Sequence, residues 1–433
     1  MFLLRLIKNN KIQVFCSRIL GAGIVLLLQL FVFKMENQSI SGVFFISYTL
    51  FQIMNVLCRF GADVFIVRNY NQLGYRSRRY EVSASFYSSL ILSIPCIIAF
   101  ILIGHCFAVS WFGANNIPAS TYAIFSIGIL LPLTSSSSII YYIYQARNRV
   151  VMQILGLNVF QPLIFLLLYI ILCGFREYYK FSIDILPLIL AFYSSVFICF
   201  FVSLFFSKKI NYPVIFSREM LNFNIHLKRA KSNKDFILST TGTQVIGWLP
   251  YLLSSFILGP TFASVFNLIQ RFAMVNSFIS ISINSVSSPL MAKMLSEKDW
   301  KGISHLLKRN TLFLSMCSIC YGVVCITSLY FLGYIESDSI VLFSAMIVML
   351  GYSINCSTSV CGYYFQIIAN VAVMNKVIYS IVLIIPVVSI LLSKALGTIG
   401  ASFSIFLAVT VVNIILFPLM IIHAKNIVKN KGR

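Results

Sequence analysis

Along the chain, apolar runs of about twenty residues alternate with short polar segments that carry most of the charge. Roughly 20 apolar residues carry an α-helix across a bilayer, whereas a barrel strand needs only about ten and alternates in polarity. The runs here are of the helical kind. They predict spans at about 14–33, 42–66, 82–104, 119–143, 150–173, 185–206, 236–258, 262–290, 310–332, 340–366, 377–393 and 399–422. The second of these is unusual in carrying Arg59 and Asp63, and 377–393 is short. The longest polar stretch, 207–235, is a basic linker that separates an N-terminal six-helix bundle (1–206) from a C-terminal one (236–433).

Composition sharpens this. Of 433 residues, 59% are hydrophobic and 10% charged, with a mean hydropathy of +0.92. Soluble chains carry about 25% charged residues, so this one would have too little polar surface to face water. A cytosolic enzyme, a secreted disulfide domain and a disordered chain are excluded. The net charge of +22 suggests nucleic acid only until the basic residues are located. They form no basic domain, but sit in short clusters between apolar runs, as topology signals do.

With the N-terminus placed in the cytoplasm, 28 of the 33 Lys and Arg fall on cytoplasmic segments and four on the opposite side, leaving Arg271 mid-span. Both termini are then cytoplasmic. The first apolar run continues as a full span, which predicts an uncleaved helix and not a signal peptide. The longest outer loop is about 105–118, too short for a folded domain, and no Gly-rich phosphate-cradling motif is present.

The halves also echo one another. "SSSSIIYYIYQARNRVV" (135–151) and "CSTSVCGYYFQIIANVA" (356–372) align at an offset of 221, pairing Ser136 with Ser357, Ser138 with Ser359, Tyr142 with Tyr363, Gln145 with Gln366 and Val150 with Val371. Six spans is an even number, so the two copies share one orientation. The expected fold is an all-α polytopic membrane protein, about 12 transmembrane helices in two six-helix bundles related by a pseudo-twofold axis along the membrane normal. That is a transporter architecture with a site between the halves.

Polar residues inside the spans are the candidate chemistry. Arg271 lies about nine residues into its span, roughly 14 Å deep at the helical rise. A charge at that depth is costly and usually faces a cavity or a partner. Asn267 and Gln270 share its face. In the second span Tyr48, Gln52, Asn55, Arg59 and Asp63 recur at steps of three and four, one polar stripe on one helix face, read as lining a wet lumen. Arg59 and Asp63 are also an i, i+4 pair that can neutralise itself. Asp63 is the candidate for proton or other ion coupling. Arg18 is either a snorkelling anchor or a lumen cation. Cations therefore outnumber acids, which suits an anionic cargo, and Arg matches phosphate well.

Other residues give weaker signals. Thr240, Gln244 and Trp248 share a face, with Trp248 read as an interfacial anchor. Tyr141, Tyr142, Tyr144, Tyr363 and Tyr364 are either sugar-stacking or interface-belt residues. Cys317 and Cys320 form a CxxC within a span and are read as packing. The four His have no ligand spacing, no carboxylates are paired for catalysis, and no metal or cofactor is expected.

Three segments then resemble a known family. "SISGVFFISYTLFQIMNVLCRFGADVFIVRNYNQ" (39–72), "FILGPTFASVFNLIQRFAMVNSFISISINSVSSPLMAKMLSEKDWKGISHLLKR" (256–309) and "LGTIGASFSIFLAVTVVNIILF" (396–417) are similar to bacterial polysaccharide transporters. These are the O-antigen flippases of the multidrug/oligosaccharidyl-lipid/polysaccharide exporter superfamily. The middle segment is the most specific. It departs at Ser264, where the family usually has Gly.

The resemblance implies a cationic central cavity and alternating access. The implied cargo is an undecaprenyl-pyrophosphate-linked oligosaccharide, moved from the cytoplasmic to the periplasmic leaflet of a bacterial inner membrane, with other polysaccharide-assembly proteins as candidate partners. It also places Arg271 and Arg18 where members carry lumen arginines. The rival readings are an ion-coupled drug or small-molecule antiporter, a membrane glycan polymerase or ligase, and a non-transporting scaffold. The antiporter should show cavity acids, the enzyme a large outer loop.

Overall fold

A computed structural model describes residues 10–69, 74–147, 149–179, 185–209, 222–331, 339–367 and 371–431. Part of the linker (210–221) and the basic residues Arg5, Lys8, Lys180, Arg218 and Arg433 lie outside them. The chain is an all-α multi-pass membrane protein. Among the described residues, nine helical stretches are long and apolar enough to cross a membrane. The chain divides into two compact units, Met1–Thr241 and Gly242–Arg433.

The first unit begins with α1 (Asn10–Met35) and α2 (Gln38–Cys58), followed by a short α3 (Ala62–Asn69). The expected span 42–66 is therefore two helices. Phe60 (φ 48°) and Gly61 (φ 68°) both enter the left-handed region and end α2. Helices commonly stop this way, with glycine as the residue that adopts it freely.

Helix α4 (Tyr75–Phe112) is 38 residues long, about 57 Å at the helical rise. It outruns a hydrocarbon core of roughly 30 Å, so Arg76, Arg78 and Arg79 open a helix and do not sit in a loop. The next span is interrupted. Helix α5 (Ala119–Phe125) passes through a 3₁₀ turn (Ser126–Leu130) into α6 (Leu131–Ala146). Pro132, which lacks an N–H, sits in the first turn of α6, where none is required.

Then α7 (Val150–Ile154) widens into a π-turn (Leu155–Phe160) before α8 (Gln161–Tyr179). Pro162 follows that turn and cannot return a bond to the Asn158 carbonyl. The turn is wedged between neighbours. A Cβ on Gly21 of α1 would lie 3.1 Å from Asn158, and one on Gly156 would lie 2.1 Å from the Tyr141 ring.

After α9 (Leu186–Lys209), α10 (Phe223–Ser232) docks on α4. Arg229 pairs with Glu81 and donates to the Ser85 hydroxyl at 3.1 Å, while His226 Nδ1 and the Ser88 hydroxyl are 2.7 Å apart. The unit's core is aromatic: Phe44, Phe165 and Phe192 pack mutually, and Tyr48 stacks on Phe44 at 5.9 Å.

The second unit holds the rest of α11 (Lys234–Leu258), then α12 (Pro260–Ser296), α13 (Trp300–Phe331), α14 (Ser339–Thr358), α15 (Val360–Ile367) and α16 (Val371–Lys431). The last contains both final spans. It breaks at Gly397 (φ 59°, ψ −130°). The chain turns back there, because a Cβ on Gly400 would lie 1.9 Å from the Leu392 carbonyl oxygen. Eight residues of continuous helix would separate these positions by about 12 Å.

The core of this unit runs through Cys356, Val360, Tyr364, Ala408 and Leu416. Leu383 (76% exposed), Phe205 (67%) and Leu312 (64%) face outward, an arrangement that lipid tolerates and water does not.

Candidate functional site

In the second unit Pro260 opens α12, its missing N–H costing nothing at a first helical position. Eleven residues on, the Arg271 guanidinium lies over the Trp248 ring of α11, 4.2 Å from its centroid. Such a cation–π contact is worth about 0.5–2 kcal/mol, more when desolvated. Trp248 is 3% exposed. It is a platform for Arg271, which replaces the expectation of an interfacial anchor.

Asn267 and Gln270, expected as cavity residues beside Arg271, are fully buried and strap helices together. Gln270 Nε2 donates to the Gly247 carbonyl at 2.7 Å and to the Tyr352 hydroxyl at 3.3 Å. Asn267 Nδ2 donates to the Tyr251 hydroxyl at 3.4 Å, which in turn donates to the Ala263 carbonyl at 2.9 Å. They fix the pitch of α12 against α11 and α14, and so the direction of Arg271, which is itself half-buried.

The acids of this unit are Glu297, Asp299, Glu336 and Asp338, all outside its apolar spans. Within the spans expected from the sequence, this half carries Arg271 and no carboxylate.

In the first unit the stripe 48–63 does not form one polar face, since α2 ends at Cys58 and Tyr48 is buried in the aromatic core. Gln52 and Asn55 are half-buried on α2. Arg59 Nη1 lies 3.0 Å from Asp63 Oδ2 across the break and donates to the Tyr142 hydroxyl at 2.8 Å. Asp63 Oδ1 accepts from the Val64 N–H at 2.9 Å. Both side chains are under a tenth exposed. Arg18 is half-buried on α1, one turn before Gly21. Arg59 and Asp63 are thus brought together; Arg18 lies on α1, and Gln52 and Asn55 on α2.

Among the tyrosines, Tyr141, Tyr144 and Tyr364 are buried. Tyr144 donates to the Phe206 carbonyl at 3.1 Å, and Tyr364 shares a 2.8 Å hydrogen bond with His423. Neither a sugar platform nor an interface belt describes them.

The residues that sequence reasoning missed include Glu36. It is 7% exposed, accepts from the Tyr169 hydroxyl at 2.5 Å and lies 3.7 Å from Arg176. The signal available was an acid and a base at the same end of two spans, 140 positions apart, which no local spacing reveals.

No protein-family model and no curated protein matches the chain. Solved structures do. One titled as the inward-facing conformation of a multidrug resistance MATE family transporter of the MOP superfamily is 13% identical, covers 96% of both chains and has a TM-score of 0.69. The lipid II flippase MurJ, inward closed, is 16% identical over 96% of this chain and 87% of its own, with a TM-score of 0.63. A MOP superfamily transporter from Pyrococcus furiosus, titled as having a binding pocket of reversed polarity, is 12% identical over 96% of both, with a TM-score of 0.62. The chain has the fold of the MOP superfamily transporters.

Proposed function

We propose that this protein is a flippase that moves an undecaprenyl-pyrophosphate-linked polysaccharide repeat unit, of O-antigen type, from the cytoplasmic to the periplasmic leaflet of a bacterial inner membrane. The observation that carries the reading is Arg271: a cation seated on an aromatic platform, deep in a span, in a half whose apolar spans contain no carboxylate. A site built for cationic cargo needs acids. This one offers a guanidinium, whose planar donors match the oxygens of a diphosphate.

The energetics favour this use. Moving a doubly charged headgroup through low dielectric is prohibitive unless cations travel with it or wait for it along the way. Arg271 supplies one such cation. Arg18 is proposed as a second, and Arg59 as a third when Asp63 releases it. The glycan stays hydrated while the polyprenyl tail remains in lipid, and the pathway opens alternately to the two sides. The sequence resemblance of 256–309 and the likeness to a structure titled as a lipid II flippase support a lipid-linked cargo.

A second reading, export of a small molecule, is favoured by the likeness to a structure titled as a multidrug transporter. One experiment separates them. In a deletion strain with its glycosyltransferases intact, lipid-linked oligosaccharide in inner membranes is quantified and its leaflet read with an impermeant glycosidase. Accumulation on the cytoplasmic face, reversed by the native gene, is expected. Units that reach the periplasmic face without this protein sink the flippase reading and turn attention to drug susceptibility.

A further inference from the structure

On the second unit, α13 and the final arm of α16 leave a groove between them, with a cavity of about 780 Å³. That lies within the ~300–1,000 Å³ typical of small-molecule sites. One wall is a row on α13. Ser304, Lys308, Thr311 and Ser315 follow at steps of four, three and four, so they occupy one helix face. The opposite wall is apolar, with Phe417, Met420 and Ile421 of α16.

Only the far end of the polar wall is turned in on itself: the Ser315 hydroxyl donates to the Thr311 carbonyl, as Ser318 and Thr327 elsewhere on α13 do to carbonyls of their own helix. The hydroxyls of Ser304 and Thr311 make no hydrogen bond among the described residues. Lys308 is exposed and forms no ion pair among them.

Its charged neighbours on the helix, Lys301 and Arg309, are also exposed cations. The preceding acid Asp299 sits about 13 Å back along the helix, where it accepts from the Gly302 N–H at 2.9 Å. The groove is therefore positive at its mouth and becomes apolar over the roughly 10 Å from Lys308 to Ser315.

We propose that this groove binds an anionic phospholipid of the cytoplasmic leaflet. Its phosphate lies at Lys308, with the Ser304 and Thr311 hydroxyls as further donors, and one acyl chain runs along Phe417, Met420 and Ile421. A soluble anion would leave the apolar wall unused, and a purely apolar molecule would strand Lys308. An amphiphile uses both. The leaflet rests on the orientation read from the basic segments, while the binding itself does not depend on that orientation or on the transported cargo.

The test uses the purified full chain in detergent, with thermal unfolding and native mass spectrometry in the presence of phosphatidylglycerol or phosphatidylcholine. Phosphatidylglycerol is expected to raise Tm and remain bound, with phosphatidylcholine doing so far less. Lys308→Glu is expected to weaken phosphatidylglycerol binding by roughly 30-fold, since a basic residue near anionic lipid contributes about 1 kcal/mol and reversal counts twice. Lys308→Arg should retain it.

Ala424→Trp, which fills the groove, should abolish the effect, and Ile421→Phe should reduce it if the larger change fails to fold. Equal stabilisation by phosphatidylcholine, or an unchanged response in Lys308→Glu, overturns the proposal. So does retention of an isoprenoid phosphate in preference to phosphatidylglycerol, or a lipid-independent dimer that buries the groove. Glycan units that reach the periplasmic face without this protein, with phosphatidylglycerol binding by the purified chain as expected, would count against the proposed function alone.

Discussion

Arg59 and Asp63 are four positions apart in sequence and 3.0 Å apart in space, yet they belong to two sides of a helix break. The left-handed pair Phe60–Gly61 re-aims the chain so that the charges still meet, buried, with the Tyr142 hydroxyl accepting from the same guanidinium nitrogen. Removing one member of such a buried pair strands the other, at a cost of about 3–5 kcal/mol. Asp63→Ala is therefore expected to lower Tm sharply. The double variant Arg59→Gln with Asp63→Asn should recover much of the loss. Thermal unfolding of purified protein checks this, and a stable single variant that loses only export would instead assign Asp63 to coupling.

Arg271 and Trp248 make a second testable pair. Arg271→Ala is expected to abolish export with little change in Tm, and Arg271→Lys to keep part of it. Trp248→Phe keeps a smaller platform and should be mild. Trp248→Ala removes a buried aromatic as well, at about 3–5 kcal/mol, and should reduce both stability and export. Surface glycan and Tm measured on the same four variants separate the roles. Unchanged glycan in Arg271→Ala would remove the diphosphate role.

At Glu36 the expected effect is on stability. Glu36→Ala leaves the Tyr169 hydroxyl, on a fully buried ring, without its acceptor, a loss of about 1–3 kcal/mol. Glu36→Gln keeps an acceptor and should cost less. Arg176→Ala, at 3.7 Å and nearer solvent, should cost under about 1 kcal/mol. Equal effects from all three would overturn this ranking.

The turn between the last two spans rests on two glycines. Gly397 holds a φ of 59° with a ψ of −130°, a conformation essentially confined to glycine, and an alanine there costs about 1–3 kcal/mol. Gly400→Ala would press a methyl against the Leu392 carbonyl oxygen, which cannot move without shifting the helix. Both are expected to lower Tm, with Gly400 the more severe, while Gly174→Ala, with open space around it, should be neutral. Equal thermal stability of all three would refute the tight turn.

What the chain determined by itself is the part governed by hydrocarbon. A backbone in lipid must satisfy its own hydrogen bonds, so a run of about twenty apolar residues is already a helix, wherever its neighbours lie. Most expected spans have a described helix at their position for that reason. The importance of Arg271 was legible on the same ground, because a mid-span charge is costly in any fold.

Tertiary structure decided what local period does not encode. The 42–66 run is apolar enough to read as one helix, but two left-handed residues divide it, so the polar stripe counted across the break is not one helix face, even though Arg59 and Asp63 still meet. Asn267 and Gln270 share a face with Arg271 by arithmetic, yet burial against Gly247, Tyr251 and Tyr352 turned them into straps. Trp248 looked like an interface anchor until α12 placed a guanidinium on it. Glu36 found Tyr169 and Arg176 across more than 130 residues of chain. In each case the partner comes from another helix, and a side chain's role in a membrane protein follows from whether it meets lipid, water or that partner.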